Sequence, residues 1–128
     1  MKKCIVLIVI CAIVIVIVFI CNFHKKSQSP EIGSFDFDDY QDFVAAFPSG
    51  EIVENPSNLN KLVADTEKIW VKIYGENIKR QKPYQVFHDK ENGVWLVQGT
   101  LQPNTMGGVA NILVENDTGK VLAIWHDK

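Results

Sequence analysis

The chain has 128 residues, of which 13 are basic and 15 are acidic, and its three cysteines all lie within the first 21 positions. The part that follows therefore has no disulfide framework, no thiol nucleophile and no cysteine-based zinc site. The acidic balance also argues against nucleic-acid binding, because that activity requires a basic surface.

The first predicted element is the apolar segment from Cys4 to Cys21. It carries no charge, and as a helix it would span about 27 Å, close to the thickness of a bilayer's hydrocarbon core. A cleaved secretory signal has a shorter apolar run and a small-x-small cleavage site. Because Ile20 precedes Cys21, a lipoprotein signal does not fit either. We therefore interpret residues 1–23 as a membrane anchor with a short N-terminal tail.

The charges beside this segment bear on its orientation. Two lysines precede it and His24, Lys25 and Lys26 follow it, so the positive-inside rule is nearly balanced. The short tail and the acidic stretch that follows favour a single-pass protein with a cytoplasmic N-terminus and the domain outside. Residues 24–34 are polar, contain Pro and Gly, and are predicted to be a linker. Residues 35–128 are enough for one domain.

The stretch from Ser27 to Asn60 contains no Lys or Arg. A basic protein partner would be steered toward such a surface. The alternative explanation is a solvated helix surface and linker. The stretch contains seven acids, Glu31, Asp36, Asp38, Asp39, Asp42, Glu51 and Glu54.

A first helix is predicted before Pro48, with Asp38 or Asp39 near its start, where an acid suits the cap and the helix dipole. Helical spacing places four side chains on one apolar face. These are Tyr40, Phe43, Val44 and Phe47.

A second, longer helix is predicted to begin after Pro56, with Ser57 or Asn58 as its cap, and to end at Gly75. It should lay four apolar side chains onto a sheet. These are Leu59, Leu62, Trp70 and Ile73.

Four strands with short turns follow the helices and predict an antiparallel meander, so the fold class is α+β. The turn at residues 116–119 is a strong hairpin signal. The strands are predicted at Tyr84 to His88, Val94 to Leu101, Val109 to Glu115 and Lys120 to His126.

The sequence offers little that points to catalysis. His88 and His126 each end a strand and are followed by Asp, and adjacent strand residues point to opposite faces, so neither pair forms an orienting dyad. We predict no catalytic residue, no cofactor and no metal site. Gly107 and Gly108 precede a strand instead of a helix, so they do not form a phosphate loop. We interpret them as a backbone device that shapes the start of that strand.

The second half of the chain resembles a known family. The motifs are Trp70-x3-Tyr74-Gly75, Lys82-Pro83-Tyr84, Trp95-x-Val97-x-Gly99-Thr100-Leu101, Gly107-Gly108 and Thr118-Gly119-Lys120. In this order they resemble the NTF2-fold immunity proteins of bacterial polymorphic toxin systems. The resemblance implies a small α+β domain, NTF2-like or a simpler cystatin-like helix on a sheet, that binds and neutralises a cognate toxin. It carries no catalytic residues.

The predicted function is therefore that of a membrane-anchored, non-enzymatic inhibitor that occludes a toxin, with the lipid bilayer as its second partner. One alternative is an envelope protein with an NTF2-like pocket for a small ligand, or an enzyme. A structural envelope protein is another. The predicted toxin contacts are Asp36, Asp38, Asp39, Asp42, Asn104, Thr105 and Met106.

Overall fold

The structure is a computed structural model of the chain, and it describes residues 1–6, 8, 10, 11, 13 and 30–128. Residues 2–6 are helical. Among the described residues, no helix has the length and apolar character needed to cross a membrane. Most of the predicted span from Cys4 to Cys21 lies outside the described residues, so the membrane anchor stays a prediction.

The centre of the domain is one five-stranded sheet in the order β1-β2-β3-β4-β5. Strands β2 to β5 form the antiparallel meander that the sequence predicts. The sheet is nevertheless mixed, because β1 lies parallel to β2 within the segment predicted to be a linker. The strands are β1 (Ile32–Gly33), β2 (Gln85–Asp89), β3 (Val94–Gln98), β4 (Ala110–Glu115) and β5 (Val121–His126).

One face of the sheet is covered by helix α2 (Leu59–Tyr74). Its cap is Asn58, whose side chain accepts a hydrogen bond from the backbone N–H of Lys61. The helix packs Leu62, Ile69 and Trp70 into the main hydrophobic core.

The prediction for Ile73 is wrong, because this side chain is 49% exposed. The core position beyond the end of α2 is filled by Ile78 instead, which is 5% exposed. Ile78 belongs to a 3-10 helix, Glu76–Gln81, that begins directly after the Gly75 cap. Ile73 therefore lies outside the core, although the ring of Tyr74 in the same turn lies 5.6 Å from that of His126 on β5.

The opposite face of the sheet is covered by residues 35–47, which we call the cover segment. It contains a 3-10 helix, Phe37–Tyr40, followed by a short helix α1, Gln41–Ala46. The predicted apolar face is largely confirmed, although Phe47 remains 46% exposed. The cover segment packs on a second core cluster of Val94, Leu96, Leu113, Ala123 and Trp125. Both sheet faces are thus buried, which explains why five of the six residues of β4 are buried.

Gly107 and Gly108 shape the start of β4, as the sequence predicts. Gly107 has a φ of 114°, a value that L side chains rarely adopt. A Cβ on Gly108 would lie 2.2 Å from the backbone carbon and oxygen of Asp127. The two glycines therefore let the chain turn into β4 directly against the chain end that follows β5, where the N–H of Asp127 donates to the carbonyl of Val109.

The outer edge of β5 is paired by residues 47–53, which we call the edge segment. Backbone hydrogen bonds join Val121 N–H to the Glu51 carbonyl and Ile124 N–H to the Phe47 carbonyl. The N–H of Val53 donates to the carbonyl of Gly119 across 2.8 Å. The edge segment thus links the cover segment on one face of the sheet to α2 on the other.

Candidate functional site

The cover segment separates its aromatic and acidic side chains onto opposite sides. Phe35, Phe37, Tyr40 and Phe43 pack against the sheet. The acidic residues between them, at positions 36, 38, 39 and 42, are all exposed. Because aromatic burial fixes the orientation of this segment, it also presents the carboxylates to solvent.

Asp89 fixes the start of the cover segment on the sheet. Its carboxylate accepts a hydrogen bond from the backbone N–H of Phe37 at 2.9 Å and from the backbone and side chain of Asn92 at 3.0 and 2.9 Å. These hydrogen bonds, those from Asn92 first, lower the pKa of Asp89 to about 2. Asp36 caps the 3-10 helix, since its Oδ1 accepts from the N–H of Asp38.

Among the described residues, the acids on the exposed side of the cover segment have no counter-ion. In the described part of the chain, the ion pairs join Lys61 to Glu54, Lys68 to Asp65, Lys72 to Glu51, Lys79 to Glu76 and Lys82 to Glu67. None of these pairs includes the acids at positions 36, 38, 39 or 42. A partner with basic side chains would therefore meet these carboxylates without displacing an internal ion pair.

A small recess of about 330 Å³ lies where the cover segment meets the end of β5, and we call it the aromatic–acidic recess. Phe43 stacks on Trp125 with ring centroids 4.5 Å apart, and the Tyr40 ring lies 5.9 Å from that of Trp125. Burial, and then the charges of Asp39 and Asp127, raise the pKa of Tyr40. The recess is lined by Asp39, Tyr40, Phe43, Gln98, Asn111, Trp125 and Asp127.

The carboxylate of Asp127 is held in place by neutral donors. Its Oδ1 accepts from the indole N–H of Trp125 at 3.0 Å, and its Oδ2 accepts from the amide of Asn111 at 3.2 Å. Asn111 is fully buried, and its own Oδ1 accepts from Gln98 at 2.7 Å. This network orients Asp127 but leaves its negative charge without a cationic partner among the described residues.

The loop between β3 and β4 holds the other predicted contacts. Its base is tied to the preceding segment, because the side chain of Gln102 donates to the carbonyl of Lys82 at 2.7 Å. Asn104 has a φ of 60°, and both it and Thr105 are exposed. Met106 is fully exposed, at 100%.

The predicted contact residues occupy more than one place on the surface. Asp36 and Asp38 line a shallow pocket near Asp89 and the turn between β2 and β3. Asp39 lines the aromatic–acidic recess at the other end of the sheet. That end also carries the loop of residues 102–106, because β3 ends and β4 begins there.

The sequence interpretation missed Asp127 as a site residue. The sequence feature that could have indicated Asp127 is its position two residues after Trp125, because side chains at that spacing share one face of an extended chain. Nothing in the sequence placed the cover segment beside it, because that contact depends on the tertiary fold.

A larger open groove, about 870 Å³, lies between α2 and the edge formed by β1 and β2. One carboxylate that lines it, Glu67, is already engaged, accepting from the hydroxyl of Tyr84 at 2.8 Å and pairing with Lys82 at 2.7 Å. Burial opposes ionisation of Glu67, but the hydrogen bonds from Lys82 and Tyr84 and the charges of Lys82 and Lys79 together lower the pKa of the side chain. Glu67 is therefore ionised, and its carboxylate is already bound by Tyr84 and Lys82 within the fold.

The two strand-end histidines do not converge. His88 stacks on Trp95, whereas Nε2 of His126 lies 3.1 Å from the amide nitrogen of Gln81. Within residues 1–6, 8, 10, 11, 13 and 30–128, no three His, Cys, Asp or Glu side chains are placed to hold a metal ion.

Comparison with known proteins gives one match. A family model described as "NTF2 fold immunity protein" matches residues 63–128, just over half of the chain. The matched region contains most of α2, strands β2 to β5, the loop of residues 102–106 and Asp127. The cover segment lies outside it. No curated protein and no solved structure matches the chain.

Proposed function

Because this chain belongs to the NTF2 fold immunity protein family, we propose that it binds a cognate toxin and neutralises it by covering part of the toxin's surface. The inhibitor acts stoichiometrically and without catalysis of its own. The observation that supports this mechanism is the acidic side of the cover segment, which is exposed, forms no ion pair among the described residues and is held in place by aromatic packing.

The proposed contact surface combines charge with an apolar side chain. The acidic residues steer a basic toxin surface toward the domain and fix its orientation. Met106, at the tip of an exposed loop, supplies a flexible apolar contact that adapts to a partner. The proposed contacts are Asp36, Asp38, Asp39, Asp42, Asn104, Thr105 and Met106.

The proposed location follows from the sequence of the N-terminal segment. Residues 4–21 anchor the chain in a membrane as a single span, with the N-terminus in the cytoplasm and the domain outside. A domain held there meets a toxin that acts at or beyond that membrane.

Reversing the charge at Asp38 and Asp42 tests the contact surface. The binding partner for this test is a toxin-like protein, to be sought first in the open reading frames next to the one that encodes this chain. We expect the double Lys variant to bind it at least about tenfold more weakly at low salt, with a flatter salt dependence. The control variant is Asp117→Lys, because Asp117 lies outside the cover segment and belongs to none of the ion pairs described above. Equal affinity and equal salt dependence in the wild type and the double variant would exclude the acidic surface as a toxin contact.

Small-ligand binding is the second candidate function, and the groove beside α2 favours it. Its walls include apolar side chains such as Val63 and Val86, together with the engaged carboxylate of Glu67. Ligands of ordinary size occupy pockets of roughly this volume. A panel of small apolar ligands that raises the unfolding temperature of the wild type, but not of a Val63→Trp variant, would support this function over toxin binding.

A further inference from the structure

We propose that the aromatic–acidic recess binds the guanidinium group of an arginine side chain from the protein partner. This inference rests on the proposed function for the source of that arginine, and it names the chemistry that the partner must supply. The recess holds two carboxylates and three aromatic rings around one volume of about 330 Å³.

The aromatic walls favour a flat cation. Phe43 and Trp125 form a stacked pair with their planes 30° apart, and the Tyr40 ring lies 5.7 Å from that of Phe43. Because Phe43 and Trp125 cover one face of each other, the rings provide an apolar wall beside the carboxylates. A guanidinium is planar, more weakly hydrated than an ammonium, and stacks on aromatic faces, so it fits this surface better than lysine does.

The carboxylates supply the complementary charge. Asp127 uses one lone pair on each oxygen for Trp125 and Asn111, which leaves acceptor capacity on the same group. Asp39 lines the recess as well and is exposed. Neither residue belongs to an ion pair among the described residues. A guanidinium provides several donors in a fixed fork that suits carboxylate oxygens.

Other occupants fit this recess less well. An anion would be repelled by two carboxylates, and an apolar side chain would remove water from them without providing a hydrogen-bond donor. The surrounding cover segment adds negative charge, because no Lys or Arg occurs from Ser27 to Asn60. A positively charged side chain of the partner therefore complements the negative charge of both the recess and the surrounding cover segment.

Proton NMR of the indole N–H of Trp125 provides a direct test, since this group donates to Asp127 inside the recess. The full-length chain, kept in solution with a mild detergent, is titrated with N-acetyl-arginine amide. The matched neutral probe is N-acetyl-citrulline amide, which has nearly the same shape without the charge. We expect a saturable shift of the Trp125 signal with the arginine probe and a much smaller shift with citrulline.

The variant Asp39→Asn should raise the Kd of the arginine probe about two- to fivefold, as expected for loss of one exposed charge pair. Asp39 makes no hydrogen bond in the Asp127 network, so this variant leaves the network in place. Asp117→Asn, on the hairpin between β4 and β5, is the matched control and should leave the Kd unchanged. Equal shifts with arginine and citrulline, or an unchanged Kd in Asp39→Asn, would overturn the proposal. An equal response to N-acetyl-lysine amide would overturn the choice of a guanidinium.

The two experiments distinguish failure of the proposed arginine site from failure of the proposed immunity function. A saturable arginine response in a chain that neutralises no toxin would support the recess and overturn the proposed function. Toxin binding that is unchanged by Asp39→Asn and Asp127→Asn would overturn the recess as an arginine site and leave the immunity function intact.

Discussion

The imidazole of His88 lies on the indole of Trp95, with ring centroids 3.8 Å apart and ring planes only 11° apart. The two residues are cross-strand partners on β2 and β3. Trp95 is anchored in turn, because its N–H donates to Asn116 at 2.8 Å. Among the described residues, Nε2 of His88 is buried and has no hydrogen-bond partner. The stack is therefore built around a neutral imidazole.

The first prediction concerns pH. Burial, with the charge of Lys90 second, lowers the pKa of His88, although Asp89 opposes this. The folded chain thus binds this proton less readily than the unfolded chain, whose histidine pKa is about 6.5. The contribution of His88 to stability is complete above that value and declines as pH falls below it. Urea unfolding from pH 8 to pH 5 should show this decline, and His88→Phe should weaken it while keeping the stack. Identical pH profiles would contradict the prediction.

Asp89 predicts a second pH dependence at a lower range. Its folded pKa of about 2 lies below its ordinary value, so its stabilising effect is present above about pH 4 and is lost as pH falls through 2. Asp89→Asn should destabilise the chain at neutral pH and flatten the stability profile between pH 4 and 2. The measurement is the urea midpoint at several pH values. Asp117→Asn serves as the control and should behave like the wild type.

Gly108→Ala should destabilise the domain by about 1–3 kcal/mol, because the new methyl group would overlap the backbone of Asp127. Gly50→Ala is the matched control, since no atom lies within 4 Å of the position that its Cβ would occupy. Chemical denaturation of the two variants measures the difference. Equal stabilities would show that the close approach at Gly108 is not required.

Leu62→Ala and Ile73→Ala separate the buried and exposed sides of α2. Leu62 is fully buried, so its truncation should cost about 2–5 kcal/mol of unfolding free energy. Ile73 is 49% exposed, and its truncation should cost less than about 1 kcal/mol. A large loss in Ile73→Ala would contradict the exposed position of this side chain.

The proposed membrane anchor predicts that the full chain remains in the membrane pellet after alkaline carbonate extraction. A double Val14→Arg, Val16→Arg variant should release it, because two arginines within the span together cost about 5–7 kcal/mol of insertion free energy. Val16→Leu is the conservative control and should remain in the pellet. Release of the unmodified chain by carbonate would contradict the anchor.

Local sequence patterns predicted the elements whose side chains repeat regularly. The period of α2, the hairpin at residues 116–119 and the four antiparallel strands all follow from spacing and turn chemistry. Strand β1 was not predictable, since two residues are too few to show alternation. The exposure of Ile73 was not predictable either, because helical spacing does not show that Ile78 in the following 3-10 helix fills the next core position.

The candidate site was predictable only in its charge. The base-free acidic stretch pointed to residues 36, 38, 39 and 42, and the structure shows all four exposed. The contribution of Asp127 depends on contacts between parts of the chain more than 80 positions apart. Packing of Tyr40 and Phe43 on Trp125 creates these contacts, and no local pattern encodes them.

The edge segment limits strand pairing between copies of the chain. Because residues 47–53 already use outward-facing backbone groups of β5, a second copy of the chain finds that border of the sheet occupied. On the opposite border, β1 pairs with Val86 and Phe87 in the middle of β2. Within residues 30–128, a neighbouring molecule therefore meets no long unpaired strand on either border of the sheet. This arrangement protects the chain from edge-to-edge aggregation when many copies share one surface.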